Sequence, residues 1–192
     1  ELVLEYGWNS TAYQILNPGF ELWFSRLHPA VVGYVRAGGR RVVGGGPVAA
    51  DSDLRDVTEE FERDSRAAGA GVVYFGAEER LEALYRGTKT HTAILLGAQP
   101  SWDPADWAGI IATHSSLRAQ LNRARNKGVT VALWPSDRAE RSPELKTLLQ
   151  EWLGTRGLPP LHFLVEPETL GNLRDRRVFV ATRGEVPVGF LV

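Results

Sequence analysis

The chain has 192 residues, a length that fits one domain of ordinary size or two small ones. Hydrophobic residues make up 43% and charged residues 23%, which excludes a disordered or fibrous chain. The net charge of −1 excludes a polybasic mode of partner binding, so any nucleic-acid surface has to be a local patch. The absence of cysteine excludes disulfides, thiol nucleophiles and Cys-ligated zinc.

The two ends of the sequence bear on how much of the protein it represents. It starts at Glu1, contains no Met and ends in a segment typical of a strand. We therefore expect a piece of a longer reading frame. No apolar run approaches the ~20 residues of a membrane helix, and the N-terminus lacks the pattern of a signal peptide.

Taken in chain order, the first half alternates predicted strands and helices. Strands are predicted at 20–25, 30–36 and 41–48, and the Gly38-Gly39 pair predicts a hairpin between the last two. A helix follows, with Asp53 as its predicted N-cap and Gly69 as its stop. Its apolar face is predicted from helical spacing to comprise Leu54, Val57, Phe61 and Ala68.

The pattern continues with a strand at 71–77, a helix at 78–86 and a strand at 91–97. A loop at 100–106 carries Trp102 and is followed by Trp107. We expect these tryptophans to close a core rather than to line a substrate pocket, although both arrangements fit the sequence.

Three further segments complete this part of the chain. A helix at 113–126 ends at Gly128, and a strand follows at 129–134. Ser142-Pro143 is typical of a helix start, and Gly154 ends that helix. Its buried face is predicted to comprise Leu145, Leu148, Leu149, Trp152 and Leu153.

Two glycines and two prolines within 154–160 make this stretch the best linker in the chain. Strands are predicted after it at 161–166, 178–183 and 186–192. The sequence therefore predicts an α/β (α+β) fold with a near-complete N-terminal unit at 1–154, a linker at 155–160 and the start of a second unit at 161–192.

The segment at 115–129, most of it within the predicted helix, holds the most informative local charge. It has four cations and no anion within ten residues, namely Arg118, Arg123, Arg125 and Lys127. Arginines in helical register can hold phosphate groups. Cations near a helix C-terminus also simply offset its dipole, so a solvated basic face and a phosphate or nucleic-acid contact both fit the pattern.

A second motif precedes the Asp53 helix. Arg41-Val-Val-Gly44-Gly45-Gly46-Pro47 matches the R-x-x-G-x-G pattern that cradles pyrophosphate in acetyl-CoA-dependent N-acyltransferases. Pro47 removes a donor, however, and a turn explains the glycines equally well. The histidines are scattered and form no metal-binding pair; they are His28, His91, His114 and His162.

Four segments in a fixed order carry a resemblance to a known family. They are 6–13 (YGWNSTAY), 42–48 (VVGGGPV) with 73–76, 95–97 running into Asp103-Pro104, and Leu117-Arg118, Asn122-Arg123 and Lys127-Gly128-Val129. On these residues the chain resembles the catalytic domain of the lysylphosphatidylglycerol synthase family, the phosphatidylglycerol lysyltransferases.

The resemblance implies two GNAT-like acyltransferase halves around a central tunnel. It implies transfer of a lysyl or alanyl group from aminoacyl-tRNA to phosphatidylglycerol, at the inner face of the membrane and on the cytoplasmic side. No metal or diffusible cofactor is implied, because the aminoacyl-tRNA is already the activated donor. The partners are then a charged tRNA and an anionic phospholipid headgroup, with peripheral membrane contact; the oligomeric state is not indicated.

The resemblance assigns substrate binding to Arg118, Asn122, Arg123 and Lys127, with bracing of the fold by Asn122 and Arg123 as the alternative. Two motifs that carry carboxylates in many family members are altered in this chain. The Gly-Glu-Glu motif is replaced by Gly97-Ala98-Gln99, and the Gly-Asp-Pro motif by Gly45-Gly46-Pro47. This departure leaves the choice of amino acid open. We expect the catalytic groups largely in the family's second half and assign none here. An acetyl-CoA-type N-acyltransferase and a non-catalytic binding module remain as alternatives.

Overall fold

The computed structural model describes residues 1–98, 100–156, 163 and 169–192, and these form two compact units. The first unit comprises Glu1–Gly97 together with Phe163. The second comprises the described residues from Ala98 to the C-terminus other than Phe163. Each unit has its own sheet and its own apolar core.

The first unit contains four strands in the order β1-β2-β3-β4. Its elements are α1 (Leu2–Tyr6), α2 (Ser10–Gln14), β1 (Glu21–Phe24), β2 (Val31–Ala37), β3 (Arg40–Gly44), α3 (Leu54–Ala67), β4 (Gly71–Phe75) and α4 (Glu79–Tyr85). The first three strands are antiparallel, and β4 joins β3 in parallel after α3. The predicted hairpin is confirmed, with Gly38 and Gly39 at φ 54° and 72°.

The core of the first unit lies between α3 and the sheet. Val57 and Phe61 are fully buried, as their helical spacing predicts, and they pack with Val32 and Val43. Ala68, predicted on the same face, is exposed at the end of the helix. The buried apolar stripe of α3 therefore ends at Phe61, about two turns earlier than the sequence predicts.

The predicted N-cap of α3 is only partly confirmed. Asp53 occupies the N-cap position, but its side chain makes no capping hydrogen bond. Its carboxylate instead lies 3.3 Å from Nδ1 of His28. The contact with His28 takes the place of the cap that the sequence predicts.

A buried carboxylate ties α3 to the loop after β1. Glu60 is 2% exposed and accepts hydrogen bonds from the Ser25 hydroxyl at 2.5 Å and from the Arg26 backbone N–H at 3.2 Å. The Arg26 guanidinium adds a third at 3.3 Å. Burial alone raises the pKa of Glu60, but these bonds outweigh it, so the pKa lies below its ordinary value of 4.5.

The second unit has a three-stranded antiparallel sheet in the order β5-β6-β7. Its elements are a 3₁₀ turn (Pro104–Asp106), α5 (Trp107–Thr113), α6 (Ser115–Asn126), β5 (Val129–Trp134), α7 (Ser136–Arg141), α8 (Pro143–Gly154), β6 (Val178–Arg183) and β7 (Val186–Leu191). Gly184 turns β6 into β7 with φ 62°. The predicted helix at 113–126 is confirmed as α6, whereas the short helix α5, which ends at Thr113 just before it, was not predicted.

The Ser142-Pro143 prediction is confirmed, because the Ser142 hydroxyl accepts a hydrogen bond from the Leu145 N–H at 3.2 Å. Leu145 and Leu149 are buried and Leu148 is partly buried, whereas Trp152 is 49% exposed. The core of this unit is formed by Ala139, Leu145, Leu170, Leu173, Val178 and Val180.

The predicted strand at 91–97 is wrong: the residues form no ladder within the described part of the chain. Ile94, Leu95 and Leu96 are 78%, 92% and 69% exposed. A short apolar run indicates burial but does not supply a partner strand. Most of the predicted strand at 161–166 lies outside the described residues.

The two units group the chain differently from the predicted domains, since β5 and α8 lie with β6 and β7. The predicted linker falls mostly on residues outside the described part. The division into 1–154, 155–160 and 161–192 therefore stays a prediction about the domains of the protein.

Replacing Glu60 by Gln tests the buried carboxylate. We expect a loss of about 1–3 kcal/mol, because the new amide NH₂ faces groups that are themselves donors. Since the folded pKa lies below that of the unfolded chain, the contribution of Glu60 is full above pH about 4.5 and decreases as the pH falls through the folded pKa. Urea unfolding of E60Q between pH 3 and 7 measures both effects. The control is E59Q at the exposed neighbour; equal losses in the two variants would contradict the prediction.

Candidate functional site

The basic helix that the sequence singles out is α6. Leu117, Leu121 and Ala124 are its half-buried residues, as their spacing predicts. Gly128, at φ 72°, allows the chain to leave the helix and enter β5. Because these three residues pack against the rest of the unit, the polar residues of the helix face solvent.

The charge around α6 is unbalanced. From Trp107 to Ser136 the sequence has no Asp or Glu and has four Lys or Arg. In a chain of net charge −1 this stretch is a local excess of positive charge. All four cations are exposed. The arrangement attracts anions, and the attraction weakens with salt because the groups are solvated.

The guanidinium of Arg118 makes hydrogen bonds within the fold. Its Nη1 donates to the carbonyl oxygen of Ile111 at 3.1 Å and to that of Ala112. These are carbonyls of the last turn of α5, which have no partner within their own helix. Arg118 therefore holds the junction between α5 and α6, a role that its position in the sequence did not reveal.

Asn122, Arg123 and Lys127 have no side-chain hydrogen bond or ion pair among the described residues, and all three are exposed. They do not brace the fold through buried hydrogen bonds, which was the alternative interpretation for Asn122 and Arg123. Whether they bind substrate stays a prediction. Their exposure leaves them free to bind a ligand.

The four predicted residues do not form one pocket. At 100° per residue, Arg118 and Asn122 share one side of α6, and Arg123 and Lys127 share another that lies about 140° around the axis. A single small ligand cannot contact both sides of a helix. The second pair lies in the last turn and at the C-cap, where cations also offset the helix dipole.

The glycine-rich segment at 44–46 does not form a phosphate cradle. Gly45 donates its N–H to the Phe75 carbonyl at 2.8 Å, Val48 donates to the Val31 carbonyl at 2.9 Å, and Pro47 has no N–H. An added Cβ at Gly45 would lie 3.2 Å from Thr11 and 3.6 Å from Trp8. The space that the glycines leave open is filled by the protein itself.

Arg41, the first residue of the acetyl-CoA pattern, is also enclosed. It is 9% exposed, and its Nη1 donates to the Ser65 hydroxyl at 3.1 Å. Its guanidinium lies 5.0 Å from the centre of the Tyr34 ring and 5.5 Å from that of Phe61. The position of Arg41 makes it a core residue of the first unit.

Two of the segments that carry the family resemblance meet at this point. The Trp8 ring packs over Gly45 and Gly46, and the guanidinium of Arg80 lies 4.6 Å from the Trp8 ring centre. Arg80 also donates to the carbonyls of Pro47 and Ala49 at 3.2 and 2.7 Å. These motif residues therefore fix the backbone of the first unit.

A polar cluster that the sequence did not predict surrounds Glu62. Its Oε1 accepts hydrogen bonds from the hydroxyls of Tyr74 and Tyr85 at 3.1 and 2.7 Å and lies 2.9 Å from Nε2 of His91. Burial raises the pKa of both phenols most, and the charge of Glu62 and its hydrogen bonds raise it further, so the phenols remain neutral donors. The cluster joins α3, β4 and α4 to the start of the exposed segment at 91–98.

The two tryptophans of the loop region are exposed, contrary to the prediction that they close a core. Trp102 is 63% and Trp107 is 44% exposed. Periodicity could not decide this, since no regular apolar spacing surrounds Trp102. Among the described residues no group of three or more His, Asp or Glu could hold a metal ion. No helix within the described ranges is long and apolar enough to cross a membrane.

The fold matches solved structures over nearly the whole chain. One is L-PGS from Bacillus licheniformis, with a TM-score of 0.68 and 20% identity over 98% of this chain and 58% of that one. Another is the C-terminal domain of a candidate lysylphosphatidylglycerol synthetase from Agrobacterium fabrum, with a TM-score of 0.68 and 17% identity over 95% of this chain and 58% of that one. The fold is therefore the α/β, GNAT-like fold of these domains.

The family model of the phosphatidylglycerol lysyltransferase C-terminal domain matches residues 1–192. The chain belongs to this family, and the resemblance read from its motifs is confirmed. It spans somewhat more than half the length of the solved relatives that it matches. No curated protein sequence matches it significantly.

Replacing Arg118 by Ala tests its bond to α5. We expect a loss of about 0.5–1 kcal/mol, the value of a charged hydrogen bond that is partly exposed to water. The matched variant R123A removes an exposed guanidinium from the other side of α6 and should change stability by less than about 0.5 kcal/mol. Thermal unfolding of the two variants measures the difference. If R123A is as costly as R118A, the structural role of Arg118 is refuted.

The enclosed glycine segment predicts that CoA does not bind there. A ligand that binds the folded chain raises the melting temperature in proportion to the logarithm of its concentration over Kd. We therefore expect no change in melting temperature at millimolar CoA. A rise that disappears in an Arg41→Lys variant would reinstate the acetyl-CoA alternative.

Proposed function

We propose that this chain is part of an aminoacyltransferase that moves a lysyl or alanyl group from aminoacyl-tRNA to phosphatidylglycerol. Membership of the phosphatidylglycerol lysyltransferase family is the observation that carries the proposal. The acid-free basic stretch around α6 supports it, because both substrates present phosphate groups. The proposed location is the cytoplasmic side of the membrane, where charged tRNA is found.

The proposed reaction exchanges one ester for another. A glycerol hydroxyl of the lipid attacks the carbonyl carbon of the aminoacyl ester and loses its proton. The bond to the ribose oxygen of the tRNA breaks, and that oxygen takes up a proton. The donor is already activated, so the protein mainly positions two substrates and stabilises the oxyanion of the tetrahedral intermediate. This chemistry requires no diffusible cofactor.

The role proposed for this part of the protein is substrate binding. Asn122, Arg123 and Lys127 are exposed and free of partners among the described residues, as a phosphate-binding group requires. Arg118 contributes more indirectly, by holding α6 against α5. We assign no catalytic residue within the chain. The missing carboxylates at 45–47 and 97–99 leave lysyl and alanyl donors equally open.

The full-length protein tests the proposal directly. Radiolabelled Lys-tRNA or Ala-tRNA is incubated with phosphatidylglycerol vesicles, and label is measured in the lipid fraction. We expect label from one of the two tRNAs. In R123A/K127A we expect weaker tRNA binding with a shallower salt dependence, since two phosphate contacts are lost.

The matched control for that assay is R63A/R66A, which removes two exposed cations from α3 in the first unit. It should leave binding and transfer unchanged. Label that stays on bound tRNA would point to another acceptor. Absence of both transfer and tRNA binding would refute the proposed function and leave a binding module that shares the family's fold.

A further inference from the structure

A network of side-chain contacts runs from Glu62 through His91 to the end of α4. On one side of the imidazole, Nε2 lies 2.9 Å from Oε1 of Glu62. On the other side, Nδ1 lies 3.0 Å from the hydroxyl oxygen of Thr90, which in turn lies 3.0 Å from that of Thr88. The Thr88 hydroxyl donates to the Tyr85 carbonyl at 2.8 Å. We call these five residues the His91 network; the rings of Tyr85 and His91 also stack, with centres 3.6 Å apart.

The contact with Glu62 requires a proton on Nε2 of His91. Oε1 of Glu62 already accepts hydrogen bonds from the hydroxyls of Tyr74 and Tyr85. An ionised carboxylate has acceptor sites and no proton to donate. Nε2, at 2.9 Å, is therefore the donor in this contact.

The two threonines determine the state of Nδ1. A threonine hydroxyl has one proton, and the proton of Thr88 is used on the Tyr85 carbonyl, which can only accept. The contact between the two hydroxyls therefore requires the proton of Thr90. Thr90 then has no proton left for His91, so Nδ1 is the donor in their contact. Both ring nitrogens carry protons, and His91 is an imidazolium in this network.

A neutral His91 leaves one contact of the network without a hydrogen. If Nδ1 loses its proton, the Thr90 hydroxyl can donate to Nδ1 or to Thr88 but not to both. The remaining contact then brings two lone pairs to 3.0 Å and is repulsive. The contact with Glu62 also changes from an ion pair to a weaker hydrogen bond from a neutral ring. Loss of one proton therefore weakens the network on both sides of the imidazole.

Glu62 is the one charged group that touches the imidazole among the described residues, and it is an ion-pair partner only for the protonated ring. The other titratable or charged groups near the network come from β4, α3, the end of α4 and the segment itself. They are Tyr74, Glu59, Arg55, Arg86 and Lys89. The state of the network therefore depends on the proton that His91 gains or loses.

The His91 network lies where the chain leaves the first unit. Within the described part of the chain, residues 92–98 form no ladder, and the second unit begins at Ala98. From Thr92 to Gly97 no side chain makes a hydrogen bond or ion pair with a described residue, and Leu95 is 92% exposed. His91 is therefore the last side chain that ties the chain to α3 before it enters the second unit.

We propose that the His91 network is a pH-sensitive latch on this segment. The imidazolium holds residues 88–91 against α3 and α4. When His91 loses a proton, the segment is released together with the exposed apolar residues Ile94, Leu95 and Leu96. The inference is independent of the proposed function, because it concerns contacts within the first unit.

Hydrogen–deuterium exchange of the full-length protein tests the latch from about pH 5 to 8, the range in which histidine ordinarily titrates. Exchange of peptides covering 86–98 is corrected for the intrinsic effect of pH and compared with that of the β2–β3 hairpin. Because the protonated ring makes the bonds, we expect full protection at the acid end. At the alkaline end we expect about 2- to 10-fold faster exchange, the value of one hydrogen bond. The hairpin should not change.

Three variants separate the latch from other effects of pH. H91Q has no titrating ring, and T90V removes the hydroxyl that accepts from Nδ1, so the pH dependence should disappear in both. T90S keeps the hydroxyl and is the matched control, so its exchange should follow that of the wild type. Equal protection of 86–98 at all pH values in the wild type would overturn the inference. A pH dependence that persists in H91Q or T90V would overturn it as well.

Discussion

The ladder between β5 and β6 is the interaction on which the second unit depends. It joins strands that are separated in the chain by α7, α8 and the residues up to Val178, along six consecutive residue pairs. One face of this pairing buries Val178 and Val180 against Leu145 and Ala139. The same pairing fixes the position of β5, which follows α6 directly in the chain.

The first unit depends on polar contacts in addition to its apolar core. Two of its carboxylates have their partners within the unit: Glu60 bonds to Ser25 and Arg26, and Glu62 to two tyrosines and His91. Such groups make an arrangement specific, because each partner that is removed leaves an unsatisfied group behind. The glycine-rich segment belongs to this framework. Its resemblance to a cofactor loop reflects close packing by Trp8.

Local sequence signals predicted much of this fold. The Gly38-Gly39 hairpin, the face of α3 and the Ser142 cap depend on neighbours within a few residues, and all three are confirmed in the main. The strand at 91–97 and the buried tryptophans were wrong because burial and pairing depend on partners far along the chain.

The same distinction between local signals and long-range contacts applies to the candidate site. The basic helix and its packing face were visible in the spacing of leucines and arginines. The bond from Arg118 to α5 was not, since it depends on the sharp junction at His114. The pairing of β5 with β6, which positions the strand after the helix, was not visible either, because it joins segments about fifty residues apart.

The central claim is that the tRNA substrate lies against the basic helix α6. Photo-crosslinking locates the contact directly: tRNA carrying 4-thiouridine is irradiated with the full-length protein, and the linked peptides are identified by mass spectrometry. The account predicts crosslinks within 118–128 that disappear at high salt. Crosslinks confined to the first unit, around α3 and the glycine-rich segment, would contradict it.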